Sequence, residues 1–505
     1  MCGIFISNNP SIDKGSLAII EDSLRFRGPD CSSGLVVKDT WKAYHSRLSI
    51  IDINSGVNQP VIDCDGGMLV FNGEVLNYKE LGIKYFNKEY FSDTQLLSDL
   101  IVNKFFVPSE LDGFFAFVYV DSHGELKHAC RDRFGVKPLF YYQDGDTISF
   151  SSEPSVFKRL FNLSVKDESI EEYYATRATI FSGSFFEGVN SVDPGCCYVD
   201  GTYFNCIEFL QGNYTSYSNS ELEIQLKKGI ETRMVSDAPV GLLLSRGVDS
   251  NIIKELGTFE KYYSIGFEGD DDIEYLKTES INNLTIVDCK PHEYLESFQY
   301  LLNLRGEPMS VPNEVLLYRI SKVAADDGIK VLLSGEGADE FFGGYDRIFK
   351  WAAITKEFNL GEFLQLYCYK PPKINSILYK RFELLFENNR LKSTFEMVRW
   401  FFIRYHMPIL FRRLDFALMA AGIEGREPIA NHHVFQVAIK QCEDDLMGDI
   451  LGKLTLRNLI AKYKGQQFAF EKKVGFPVDL TKVFPNPNNL SSYDLWFENN
   501  LEVLK

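Results

Sequence analysis

The chain has 505 residues, 45% of them hydrophobic and 24% charged, which is ample apolar material for the cores of roughly two to four soluble domains. Its formal net charge of −17 repels phosphate backbones, which excludes nucleic acid as a main partner. No run of roughly 18 apolar residues occurs, so no membrane span is expected. The start MCGIFISNNP lacks the basic and long apolar segments of a signal peptide, and a cytoplasmic protein is expected.

The 10 cysteines form no CxxC pair, and the adjacent Cys196-Cys197 cannot make an ordinary strain-free bridge. Reduced, mostly buried thiols are expected. His and Cys are not clustered at zinc-ligand spacing, so no structural zinc site is expected.

Up to about residue 205 the sequence is strand-rich. Residues 67–71, 114–120, 139–142 and 147–152 are short alternating or apolar runs between turn signals. They predict stacked antiparallel sheets with few helices. A polar, aperiodic stretch at 205–220 predicts a linker. Residues 220–235 have helical periodicity. Apolar runs at 240–244, 262–267, 284–287 and 330–333 then alternate with helical stretches, the pattern of a doubly wound parallel sheet. From about 346 onward the chain reads as mostly helical and rich in aromatics.

Cys2 follows the initiator methionine. With Met1 removed, one residue would supply both a thiol and an α-amine titrating near pH ~7.7–8.0, hence nucleophile and base together. Four segments downstream offer what hydrolysis of an amino-acid amide requires. Arg27-Gly28-Pro29-Asp30 is a turn with an arginine. Arg47, within residues 45–52, can hold an α-carboxylate in a bidentate manner. Asn72-Gly73-Glu74 offers an amide donor, an N–H without Cβ obstruction, and a carboxylate. Ser92-Asp93 offers another carboxylate for an α-ammonium.

In the second half, the 240–244 run feeds Ser245-Arg246-Gly247-Val248-Asp249-Ser250 and then a helix. A strand, a loop of small hydroxyl residues and a helix N-terminus make an anion site, although the Gly-Lys-[Ser/Thr] ending of a Walker loop is absent. A second apolar run enters Ser334-Gly335-Glu336-Gly337-Ala338-Asp339-Glu340. Carboxylates crowded in a tight loop repel one another and call for a cation. Further on stand Asp415–Ala420, Gly422–Pro428 and Glu471-Lys472-Lys473-Val474-Gly475-Phe476-Pro477.

Together these segments, in this order, resemble glutamine-hydrolysing asparagine synthetase across essentially the whole chain. The resemblance implies an α+β class II glutamine amidotransferase domain of the N-terminal-nucleophile type over residues 2–208. It implies an α/β ATP-pyrophosphatase domain with a helical C-terminal part over 220–505. In that reading Cys2 is the nucleophile, and Asn72 and Gly73 form the oxyanion hole. Arg47 holds the glutamine carboxylate within the stretch Leu48, Ser49, Ile50 and Ile51, while Glu74 and Asp93 take the amine. Leu243, Ser245, Gly247, Asp249, Ser250, Ile265, Ser334 and Gly335 would bind ATP. Glu336 would serve at the acyl-adenylate, Asp249 and Asp339 would hold Mg2+ with the phosphates, and Lys473 would neutralise the leaving pyrophosphate.

The family patterns SGGxDS and RxKxxF are broken twice: Arg246 replaces the first glycine, and Glu471 replaces the arginine. Arg246 either adds a phosphate contact or blocks the loop. The resemblance further implies aspartate as acceptor, an apolar passage for ammonia between two sites, and a homodimer. The competing expectations are the same mechanism on another carboxylate, such as a uronic acid, and a glutamine or nucleotide sensor without turnover. Gly306–Asn313 lies where the family shapes its acceptor pocket.

Overall fold

The computed structural model describes residues 2–53, 58–210, 212, 214, 218–472 and 478–505. Lys473, expected to face the pyrophosphate, lies outside the described residues, as does part of the expected linker.

The first 205 residues build two antiparallel sheets. In one, Cys2–Ser7 runs between Trp41–Arg47 and Thr147–Ser151. In the other, Met68–Val75 pairs with Gly113–Val120, which pairs with Leu126–Arg131. The period-two alternation of each strand decides how the sheets meet. Cys2, Ile4 and Ile6 pack on Met68, Val70, Ala116 and Val118. The opposite faces are covered by helices: Phe5 meets Ile20, Leu24 and Phe157, and Leu69 and Phe71 meet Leu81, Leu96 and Leu97. The expectation of few helices is therefore corrected. Leu17–Leu24, Tyr78–Phe86, Asp93–Val102, Ser155–Phe161 and Asp167–Thr176 are all helical, because both outer sheet faces are apolar and need a cover.

The thiol expectation is also corrected. Cys130 and Cys197 are directly opposite in adjacent antiparallel strands and form a disulfide across 67 residues of sequence. Their pairing depends on register, which the spacing of cysteines does not reveal. His128 and Asp200 lie close to Cys130, whose sulfur is committed to that bridge.

The second half is built on a parallel sheet in the order Leu284–Asp288, Lys261–Gly266, Val240–Leu243, Val331–Leu333, Glu424–Arg426. The fifth strand was hidden in a region expected to be helical. Glu424-Gly425-Arg426 carries two charges yet is fully buried, so no apolar run announces it.

That strand also ties the two halves together. The Arg426 guanidinium binds Glu424 on its own strand and Glu74 on the front sheet, and donates to the carbonyls of Arg233 and Val235. All three charged side chains are buried. Burial, opposed chiefly by Arg426, pushes the Glu74 carboxyl well above its usual range, whereas at Glu424 burial is outweighed by Arg426 together with Lys137 and other nearby positive charge, which hold it below. A second buried cluster lies nearby. Arg27 donates to Glu153 and to Asp415, each at 2.7 Å, and Lys137 reaches Asp415 at 3.2 Å. Around both clusters the interface is apolar: Phe134 of the front half meets Phe341 and Phe435 of the back at 5.4 and 5.5 Å.

Replacing Arg426 with alanine would leave two buried carboxyls without their cation and raise both of their folded-state pKa values. Such groups cost nothing below the unfolded value of 4.5 and most at higher pH, where the unfolded chain ionises and the folded one resists. Arg426→Ala should therefore cost about 3–5 kcal/mol near pH 8 and much less near pH 4.5. Urea unfolding at the two pH values checks this, and equal losses would contradict it.

Candidate active sites

The first site is assembled where the two antiparallel sheets face each other. Cys2 and Arg47 are directly opposite in paired strands. Asn72 has the same parity as Met68 and Val70, so it points at the Cys2 strand, and its Oδ1 accepts the Cys2 N–H at 3.0 Å. Its Nδ2 is buried and has no hydrogen-bond partner among the described residues. An amide left without an acceptor in a packed interior is costly, and it suits a site that a ligand oxygen completes. Asn72-Gly73 is part of a strand and not of a hairpin turn. Gly73 has φ +132°, and a Cβ there would lie 2.1 Å from the Phe114 carbonyl oxygen, so no larger residue fits.

Cys2 is buried, and burial pushes its thiol up against the opposing pull of the Leu48 backbone and Arg47. Arg47 donates to the Asp52 carbonyl at 2.8 Å. The segment that follows Arg47 is fixed at both edges: Ser49 N–H donates to Asp30, and the Ile50 carbonyl accepts from Asp237 of the back half. Leu48 and Ile50 are buried, and Ile51 is half-buried. Asp93 is buried and receives the Val75 and Thr94 N–H groups at 3.0 and 2.7 Å. Burial outweighs these bonds and lifts its pKa to about 6. Glu74, expected beside Asp93 as a second amine ligand, is in contact with Arg426. Arg27 also departs from a simple turn residue: its Nε reaches the Cys2 carbonyl at 3.2 Å, which steadies the nucleophile strand.

The second site lies at the C-terminal ends of the central parallel strands, the place where open α/β sheets bind ligands. Val240–Leu243 leads into the Ser245–Ser250 loop, and Val331–Leu333 leads into the Ser334–Glu340 loop. The loops touch. A Cβ on Gly335 would be 2.8 Å from the Asp249 Cβ. Ser250 Oγ accepts from the Ser245 N–H at 3.1 Å, and Asn251 donates to the Ser245 and Gly247 carbonyls. A cavity of about 290 Å³ opens beside them, with Leu243, Ser245, Ile265, Ser334, Gly335 and Glu336 among its walls.

Two cationic partners escaped the sequence reading. Lys453, largely buried, reaches Asp249 at 2.6 Å and Asp339 at 2.7 Å. Those two carboxylates thus converge on a single positive centre, the arrangement that a divalent cation with phosphates would need. Arg413 pairs with Glu336. Glu340 turns away from the cavity into the core, where burial and the neighbouring Asp339 raise its pKa to about 8 and Tyr345 donates to it. Lys453 and Arg413 stand in no motif quoted above, and only the fold brings them in. On the helix Met407–Met419, Leu414 lines the cavity, while Asp415 pairs with Arg27 and Lys137 of the front half. Of Gly306–Asn313, Asn313 lines the cavity, whereas Glu307 is bound to Arg305 and Arg412.

The two sites are mechanically joined. Arg426 carries Glu74 on its guanidinium, and its carbonyl accepts the Ser334 N–H at 2.9 Å.

Comparison with known proteins agrees with this geometry. The asparagine synthase family model matches residues 221–494, and the glutamine amidotransferase domain model matches residues 1–206. Asparagine synthetase (glutamine-hydrolyzing) 1 of Bacillus subtilis (strain 168) is 31% identical over 350 residues, 63% of this chain and 54% of that protein, so the match spans about half of that relative. Asparagine synthetase (glutamine-hydrolyzing) 3 of the same organism is 26% identical over 92% of this chain and 84% of its own length. The probable asparagine synthetase of Acanthamoeba polyphaga mimivirus is 30% identical, covering 71% of this chain and 70% of the viral protein. With more than half of the chain matched by one family model, the chain belongs to the asparagine synthase family.

Proposed function

We propose that this protein is a glutamine-dependent asparagine synthetase: it hydrolyses glutamine, activates the side-chain carboxylate of aspartate with ATP, and joins the released ammonia to it. The observation that carries the front half of this reading is the buried, unpartnered Asn72 amide beside Cys2, opposite Arg47. The names of the relatives favour aspartate as the acceptor. The absence of an 18-residue apolar helix among the described residues is compatible with a cytoplasmic location, which we adopt as part of the proposal.

In the front site, Arg47 binds the glutamine α-carboxylate and Asp93 its ammonium. Cys2 Sγ attacks the side-chain amide carbon, and the negative charge that grows on oxygen falls between Asn72 Nδ2 and the Gly73 N–H. With Met1 removed, the Cys2 α-amine, held by Asn72 Oδ1, takes the thiol proton and passes it to the leaving nitrogen. Ammonia departs, and water then cleaves the thioester to glutamate. Glu74 supports this site indirectly, by holding Arg426.

In the back site, ATP lies along Leu243, Ser245, Gly247, Ser250, Ile265, Ser334 and Gly335. A carboxylate oxygen of the acceptor attacks the α-phosphorus, and the bond to the bridging oxygen breaks as pyrophosphate leaves. Ammonia then attacks the acyl carbon and displaces AMP. Asp249 and Asp339 would hold Mg2+, which when bound neutralises phosphate charge. Lys453, now between these carboxylates, is placed to turn toward the phosphates. Glu336, oriented by Arg413, faces the acyl centre. Ammonia must cross unprotonated, since ammonium has no lone pair. The apolar interface of Leu48, Ile50, Leu76, Phe114 and Val136 with Leu242 and Leu333, one continuous cluster, is the kind of surface such a crossing needs.

The acceptor is tested by pyrophosphate release against a panel of carboxylates. Aspartate should give release and asparagine. Release with another acid and none with aspartate would replace the acceptor while keeping the mechanism, and binding without any turnover would make the protein a sensor. Cys2→Ala should abolish synthesis from glutamine by at least about 100-fold and leave synthesis from added ammonia intact; persistent glutamine use would displace Cys2 as nucleophile.

A pH dependence follows from Asp93, whose carboxyl titrates at about 6. Above that pH it is an anion and attracts the glutamine ammonium; below it the charge is gone. The KM for glutamine should rise as pH falls through about 6, with the ammonia-dependent rate unaffected by this group. Asp93→Asn should give a high KM that no longer responds in that range.

A further inference from the structure

The chain's two departures from its family's loop patterns meet in space. Arg246 of the Ser245–Ser250 loop forms an ion pair with Glu471. The Arg246 guanidinium also lies over the Tyr275 ring, 4.7 Å from its centroid. Arg246 is not among the residues with positive φ, so arginine at this former glycine position does not strain the backbone. Glu471 sits on an anchored turn: Arg457, mostly buried, donates to the Gly452 carbonyl at 2.9 Å and to the Ala469 carbonyl at 2.6 Å, and approaches that of Glu471 at 3.5 Å.

These residues wall a second cavity of about 230 Å³, next to the nucleotide cavity and sharing Asp249 and Asp339 with it. The two chambers differ in chemistry. The nucleotide side offers apolar walls and serine hydroxyls. The other side is lined by four cations, Arg246, Lys453, Arg457 and Lys472, set among four carboxylates, Asp249, Asp339, Asp346 and Glu471. Lys453 is held by the two shared carboxylates and Arg457 by backbone carbonyls. Among the described residues, Arg246 is held only by a carboxylate that is 48% exposed and by a ring face. Exposed pairs are weak and exchange readily, whereas a guanidinium binds phosphate oxygens in a strong bidentate manner.

We infer that Arg246 is a pyrophosphate-binding residue and Glu471 its positioning partner. Before ATP arrives, Glu471 holds the guanidinium at the chamber wall. When the β- and γ-phosphates enter, Arg246 exchanges the carboxylate for their oxygens and stays with the pyrophosphate as it leaves. The arginine that the family keeps on the C-terminal segment is thereby supplied from the loop across from it. This inference rests on the proposed ATP-pyrophosphatase reading of the same site and adds to it which residue grips the leaving group.

The test is calorimetric binding of inorganic pyrophosphate, with magnesium chloride present, to the full chain and its variants, which needs no acceptor. The two substitutions should move affinity in opposite directions. Arg246→Gln should weaken binding roughly tenfold or more, and Glu471→Gln, which removes the competing carboxylate, should tighten it. In the Arg246→Gln background, Glu471→Gln should bring no gain. A purely structural pair would weaken binding in both single variants, and an obstructing arginine would give tighter binding when removed; either result overturns the inference, as does wild-type protein that binds no pyrophosphate. A gain from Glu471→Gln that persists without Arg246 overturns the positioning role. In turnover, Arg246→Gln should raise the KM for ATP with little change in the KM for glutamine. Opposite pyrophosphate shifts alongside no aspartate-dependent AMP formation would leave this inference standing and sink the asparagine reading instead.

Discussion

A guanidinium buried between two carboxylates holds this molecule together. Arg426 sits in a strand with no exposed surface, and placing its charge there demands partners on every side. Glu424 comes from the same strand. Glu74 comes from the front sheet, two positions after Asn72 and next to Gly73. The front half therefore cannot shift relative to the parallel sheet without exposing an uncompensated charge. Because the Arg426 carbonyl also receives the Ser334 N–H, one residue fixes the distance and orientation between the two loops that carry the chemistry. Arg27, Asp415 and Lys137 repeat the device a short way off, with Arg27 extending to the Cys2 carbonyl.

Between these charged pins the interface is filled with aromatic and aliphatic side chains. The division of labour has a physical logic. Paired charges give the interface one register, because any displacement strands a buried ion. Apolar packing excludes water from the space between them.

In the back site the two altered motif positions lie against each other. Taken alone, the arginine in the glycine position reads either as an added phosphate contact or as a blocked loop, and the acid in the position of a base as weaker phosphate affinity. In the fold the two side chains form an ion pair. Lys453 plays a comparable part, because its ammonium keeps Asp249 and Asp339 together at a separation their mutual repulsion would oppose.

Much of this was written locally in the chain. Cys2, Asn72-Gly73 and the Ser334–Glu340 loop are legible in sequence because their chemistry depends on backbone conformations that few residues permit and on neighbours a few positions away. The alternation of strands and helices after residue 220 is likewise a local pattern. Other features were settled only by tertiary structure. The strand Glu424–Arg426 has no apolar run; its two charges pair with each other and with Glu74, 352 positions away. The Cys130–Cys197 bridge depends on strand register. The contact of Glu74 with Arg426 of the other half, and that of Arg246 with Glu471, appear only once the chain is folded. Sequence determines what lies within a few bonds or a helical turn; which distant charge meets which is decided when the sheets pack, because only then does desolvation force each buried ion to find its partner.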